Sequence, residues 1–149
     1  MAKMLDLIEK MIQGETPPPP VATLVGFQLV SIARGEAVME MQAGERHANP
    51  MGTLHGGILC DIADAAMGMA CASTLDEGET FTTLELKINF LKPIWQAKLR
   101  AVGRIVKEGR TINLAECRIT DEKEQLIAFA TSTQMTLRGD QAQGRQVSF

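Results

Sequence analysis

The chain has little sulfur to cross-link. Among its 149 residues, Cys60, Cys71 and Cys117 are an odd and widely spaced set, with no C-x-x-C pair and no ladder of spacings that suggests a disulfide framework. A reducing compartment follows, and the cytoplasm is the expected location. The first twenty residues do not read as a secretory signal, because Asp6, Glu9 and Lys10 interrupt the apolar run such a peptide requires. No window reaches the roughly eighteen consecutive apolar residues of a membrane span. A net charge of -3 supplies no basic footprint, which argues against nucleic acid as a partner. Missing too are a G-x-S-x-G elbow and a recognised Cys-His signature, so acyl-enzyme chemistry on serine or cysteine has no visible nucleophile. The absence of a Walker or G-x-G-x-x-G loop removes the usual signs of nucleotide hydrolysis and dinucleotide redox chemistry. Aromatic residues make up only 4%.

What is present suits a single globular domain. The hydrophobic share is 45% and the charged share 22%, and a chain of this length buries roughly two-thirds of the surface its unfolded form exposes. Met4, Leu5, Ile8, Met11 and Ile12 recur at helical spacing and predict an amphipathic helix over residues 3 to 13, packed as a lid or flank. Pro17 to Pro20 then force an extended, donor-free connector. Val21 to Ala43 reads as two strands about a turn at Gly35, with Ala37, Met39, Met41 and Ala43 on one face. An Ala- and Met-rich helix from about Leu54 to Ser73 is apolar almost all round, hence enclosed. From Phe81 to Leu91, Leu84, Leu86, Ile88 and Phe90 alternate as a core face against Thr83, Glu85, Lys87 and Asn89. Strands over 98 to 107, 112 to 120 and 125 to 137 follow, joined by short turns that make neighbours antiparallel. The economical packing is an α+β one, an antiparallel sheet curled around a single apolar helix. Residues 1–20 form a helix and connector, 21–138 the domain, and 139–149 a tail.

The chemistry concentrates in Asn49 to Asp64, N-P-M-G-T-L-H-G-G-I-L-C-D-I-A-D. Asp61 and Asp64 are the only charged side chains between His55 and Thr74, within a segment that reads as buried, where an ionised carboxylate without a partner is costly. His55-Gly56-Gly57 meets the helix start, where glycines leave backbone N–H groups unshielded and the helix dipole favours a carbonyl oxygen gaining charge. The plainer alternative is that the glycines only allow close packing. Asp61 reads best as a helix-start charge. Asp64 lies too deep for that and is the expected reacting carboxylate, unless a hydrogen bond to Thr or Asn makes it structural. His55 suits orienting the turn or bonding substrate better than shuttling protons, His47 reads as a solvated loop residue, and Cys60 and Cys71 as core. A metal is not expected, since His47, His55, Cys60 and Asp61 match no familiar ligand spacing. Seven residues return Asp64 to the side of Gly57 but about 10 Å along the axis. One carbonyl is therefore reached by both only across a two-fold axis, which predicts a homodimer with two shared sites.

These residues resemble the hotdog-fold thioesterases of the phenylacetate-degradation and 4-hydroxybenzoyl-CoA type, in which N-P-x-G-x-x-H-G-G precedes an acid-bearing helix. Phe90-Leu91-Lys92-Pro93 resembles that family's aromatic-x-x-Pro strand end. The resemblance covers roughly residues 21 to 138. It implies a hotdog fold, dimers sharing one continuous sheet and pairing into tetramers, and an acyl-CoA thioester as substrate, with no cofactor beyond that coenzyme. By the same resemblance Asp64 is nucleophile or general base and Gly57 the oxyanion amide. Asn49 and His55 would surround the thioester and its attacking water, and Thr83 would help bind that water. Strict alternation puts Thr83 on the wet face, so its role needs a bulge or the dimer partner. Lys107, Gly109 and Arg110 correspond to the coenzyme-binding turn, with Lys92 and Arg138 as further cations of that kind; a solvated hairpin turn is the plainer reading. Met67, Met69, Phe81 and the N-terminal helix would line an adaptable tunnel for medium-chain or aryl groups. A hydratase or dehydratase of acyl thioesters, or a non-catalytic acyl-CoA sensing module, remain as alternatives.

Overall fold

The computed structural model describes residues 4–145; position 3 of the expected first helix and the last four residues of the expected tail lie outside them. Helix α1 (Met4–Ile12) buries Ile8 against Ala72 and Leu75, with Met4 and Ile12 packed alongside. The connector is extended at Pro19, φ -62° and ψ 149°, but it ends one residue early. Pro20 opens a short helix, α2 (Pro20–Val25), where a strand was expected to begin at Val21. The reason is local: proline at a first helical position has its φ preset and lacks an N–H that would have no partner there anyway. Gly26, at φ +96°, then stops the helix and donates its N–H to Ala22.

Strands β1 (Phe27–Ala33) and β2 (Glu36–Ala43) form the expected hairpin, with Ala37, Met39, Met41 and Ala43 buried. Helix α3 (Gly56–Ala72) follows, then β3 (Thr80–Phe90), β4 (Ala97–Lys107), β5 (Ile112–Thr120) and β6 (Leu126–Leu137). All pairings are antiparallel, in the order β1-β2-β4-β5-β6-β3. The hotdog arrangement is present, α3 packing against β4, β2, β3 and β5. Gly103 on β4 shows how close that packing is: a Cβ there would lie 2.5 Å from the backbone carbonyl of Ala66. Leu59, Ile62, Ala66, Met67 and Ala70 supply the helix side of the core.

Three expectations need correction. The helix is not enclosed all round, because His55, Asp61 and Asp64 are exposed and Gly57, Cys60 and Ala65 half-buried. Six strands cover only part of a helix circumference, and small apolar residues on the uncovered stripe look in the sequence like core. The β3 alternation also breaks. A bulge lies between Thr83 and Glu85, where Leu84 has no partner in the register with β6; Phe81 and Thr83 face α3 before it, while Leu86 and Ile88 pack on the core after it. A bulge shifts the period-two parity by one, so Leu84, expected in the core, is 54% exposed; Phe90, also expected there, keeps the inward parity but ends the strand over Gly56 at the start of α3, where it stays 56% exposed. Finally, His47 is buried, its Nδ1 accepting from the Gly44 N–H at 3.2 Å and its Nε2 donating to the Val25 carbonyl at 2.7 Å.

Candidate active site

The bulge brings Thr83 to Asp64. Its hydroxyl donates to the Asp64 Oδ1 at 2.9 Å, which fixes the carboxylate across the gap between α3 and the edge strand. The two residues stand together on the wall of a cavity of about 910 Å³, bounded by α1, the proline connector, α2, β1, β2, α3 and β3. Met69, Phe81, Met11 and Ile12 line it as the tunnel reading expects, whereas Met67 is fully buried in the core and does not. Asp61, one turn earlier on the stripe, is the sixth residue of the helix, past the first turn where a helix-start charge belongs. Partial desolvation raises its carboxyl above the usual carboxylate value, the Asp64 charge adds to the rise, and His55 opposes it. Burial likewise pushes up the thiols of Cys71 and Cys117, to about 11 and about 12, which keeps both protonated and unreactive at neutral pH.

At the helix start the two glycines part ways. Gly56 is a packing residue: a Cβ would sit 2.8 Å from the Phe90 ring. Gly57 meets no side chain but that of His55, whose Nδ1 caps the helix by accepting the Gly57 N–H at 2.8 Å. His55 therefore orients the turn, as its position suggests, and it holds the very amide proposed as an oxyanion donor. Asn49 builds the preceding loop. Its Oδ1 accepts from the N–H groups of Met51 and Thr53, and its Nδ2 donates to the Thr53 hydroxyl at 2.7 Å. The His55 N–H donates to the His47 carbonyl, so the loop links the helix start to the end of α2.

The expected coenzyme cations do not form one group. Gly109, Arg110 and Arg138 line a polar cavity of about 140 Å³ with Arg34, Glu79 and Glu108 beyond the C-terminal end of α3. Arg138 is committed there, donating to Glu79 at 2.7 Å and to the Arg110 carbonyl. Arg34 and Glu108 make a two-bond ion pair that lowers the Glu108 carboxyl. Gly109 is required by shape, since a Cβ would lie 2.2 Å from the Ile112 carbonyl oxygen. Lys107 closes β4 and does not line this cavity, and Lys92, in the β3–β4 connection, is bonded instead to Asp121 and Gln125 of the β5–β6 turn. The reading from sequence missed the contribution of α2. Its signal was a proline six residues ahead of a glycine, a helix-start and helix-stop pair.

The thioesterase superfamily model matches residues 51–128, which contain Gly57, Asp64 and Thr83. The chain belongs to the thioesterase superfamily. Its reaction class is thioester hydrolysis, and its fold is the hotdog fold. Among curated proteins it is similar to a 1,4-dihydroxy-2-naphthoyl-CoA hydrolase of Listeria monocytogenes, 28% identical over 73% of this chain and 89% of that one. It is also similar to human acyl-coenzyme A thioesterase 13, 28% identical over 82% of this chain and 88% of that protein. Among solved structures, a phenylacetic acid degradation-related protein of Ralstonia eutropha superposes with a TM-score of 0.78 at 29% identity, covering 85% of this chain and 97% of the other. Among the described residues no helix is long and apolar enough to cross a membrane.

Proposed function

We propose that this thioesterase hydrolyses acyl-CoA as a homodimer, each of its two sites combining Asp64 and Thr83 of one subunit with Gly57 of the other. The hydrogen bond from Thr83 to Asp64 at the wall of an apolar cavity carries this reading. With Oδ1 held, Oδ2 takes a proton from water as the water oxygen attacks the thioester carbon. Charge then develops on the carbonyl oxygen, and the Gly57 N–H of the neighbouring subunit donates to it in place of the His55 ring. Collapse of the tetrahedral intermediate breaks the C–S bond, and the proton on Asp64 passes to the departing coenzyme thiolate.

A dimer is supported by geometry and by an unprotected edge. Gly57 and Asp64 stand seven residues apart on one helix, too far for one carbonyl, while two antiparallel helices bring the pair together. Strand β3 is a sheet edge of eleven residues carrying exposed Leu84 and Phe90. Long apolar edges call for a covering strand, and a second β3 supplies one beside the open stripe of α3. The coenzyme phosphates meet Arg110 and Lys107, whose charged ends are in no ion pair among the described residues. Three unpaired thiols are consistent with a cytoplasmic location.

The test is thiol release from a panel of acyl-CoAs, with enoyl-CoA hydration measured alongside. Release of free thiol with no 3-hydroxyacyl-CoA formed supports the reading; hydration without thiol release replaces it with the hydratase alternative.

A further inference from the structure

The large cavity has two kinds of wall. Asp64, Gly68, Phe81 and Thr83 stand inside residues 51–128, whereas α1, the proline connector, α2 and β1 lie wholly outside that stretch. The part of the cavity that does no chemistry is therefore built mainly by the segment ahead of the matched stretch. Its construction is stiff. Pro17, Pro18 and Pro19 have fixed φ and no N–H to solvate, and α2 is held from behind by donors on the Val25 carbonyl, the buried His47 Nε2 at 2.7 Å and an Arg46 guanidinium nitrogen at 3.3 Å. The same His47 anchors His55 through its carbonyl, so this wall and the helix start are positioned by one loop.

We infer that the proline connector and α2 form the end wall of the acyl chamber and set the longest acyl group this enzyme accepts, the acyl group being an uncharged hydrocarbon far larger than acetyl. The inference rests on the acyl-CoA reading above and deepens it. Size comes first: about 910 Å³ lies at the upper end of pockets that enclose drug-sized ligands, and a two-carbon group would leave most of it wet. Charge comes second. Among the described residues, Glu15 and Asp64 are the only ionisable side chains on the lining, and no described lysine or arginine faces them there. A terminal carboxylate on the acyl chain would find two like charges and no cation, and would lose its hydration for nothing.

The experiment uses non-hydrolysable thioether analogues of acyl-CoA from four to sixteen carbons, their affinities measured by calorimetry on the full chain. Val21 lines the chamber at 50% exposure, and Leu24, three positions on and 79% exposed, does not. Val21→Trp should weaken the longest analogues by about tenfold and leave the shortest within about twofold, since a chamber shortened by a methylene or more discriminates on that scale. Val21→Ala should move the fall-off toward longer chains, and Leu24→Trp should match the wild type. An ω-carboxylated analogue of equal length should bind about tenfold more weakly. Parallel losses at all lengths in Val21→Trp, the same shift in Leu24→Trp, or wild-type affinity that does not grow with chain length would overturn the inference. Analogues that bind in this pattern to a protein that cleaves no thioester would sink the acyl-CoA hydrolase reading and leave the chamber assignment standing.

Discussion

Two polar regions of this protein use similar residues to opposite ends. Beyond the C-terminal end of α3, Arg34, Glu79, Glu108 and Arg138 close on one another in ion pairs, and Gly109 serves the shape of its turn. On the open stripe of α3, Asp61 and Asp64 have no cation within ion-pair distance among the described residues, and the one fixed partner of Asp64 is a hydroxyl. Charges that satisfy each other hold a turn. Charges left with only a neutral partner stay free to act on something else.

The contrast breaks most sharply at Asp64. Asp64→Asn should lower kcat by about 10²- to 10⁴-fold and leave thermal stability nearly unchanged, because the side chain is exposed; activity within a few-fold of wild type would end its role as base. Thr83→Val comes next. Loss of one hydrogen bond to a charged acceptor should cost about tenfold in kcat with KM little changed, and Thr83→Ser should restore most of it. On the paired side, Arg138→Ala should reduce stability by about 1 kcal/mol, as for partly exposed pairs, with kcat and KM close to wild type. Arg110→Ala should do the reverse and raise KM for acyl-CoA. A KM effect confined to Arg138 would exchange the two roles.

The smallest effects are those of pH. Asp121 in the β5–β6 turn accepts backbone N–H bonds from Gln125 and Lys123 and an ion pair from Lys92, with the Gln125 bond the leading cause that lowers its carboxyl below 3.8. Its contribution is therefore present above that value and lost as pH falls through the lowered one. Asp61 is shifted upward, so its ionised form weighs against the fold once pH exceeds the raised value. Urea midpoints should show the stability lost in Asp121→Asn largest at pH 6 and shrinking as pH is lowered below 3.8, and Asp61→Asn gaining at pH 6 but not at pH 3.

Much of the architecture was legible because the strands after α3 alternate cleanly and their turns are short. Apart from α2, the order of elements, the hairpin and the acid-bearing helix follow from residue pattern, composition and turn residues. Two features were hidden by cooperative geometry. The Leu84 bulge changes no residue type in the β3 pattern, yet it moves Thr83 to the helix side, and only the pairing with β6 exposes it. The burial of His47 depends on α2, whose Val25 carbonyl lies twenty-two residues earlier in the chain. Asp64 could be singled out as an acid in an apolar helix, but its open position follows from where the sheet stops. The cation set failed for a related reason: composition shows that Arg138 and Lys92 are charged, but it is the fold that brings Glu79 and Asp121 beside them.

The shared site is tested most directly by complementation between two inactive subunits. Asp64→Asn keeps Gly57, and Gly57→Pro removes the amide proton at a helix position that tolerates proline, while Asp64 remains. Co-expressed in equal amounts, the two variants should form mixed dimers in which one site of two is intact, returning about a quarter of wild-type activity. If each subunit instead supplies both groups to its own site, the mixture will be as inactive as either variant alone.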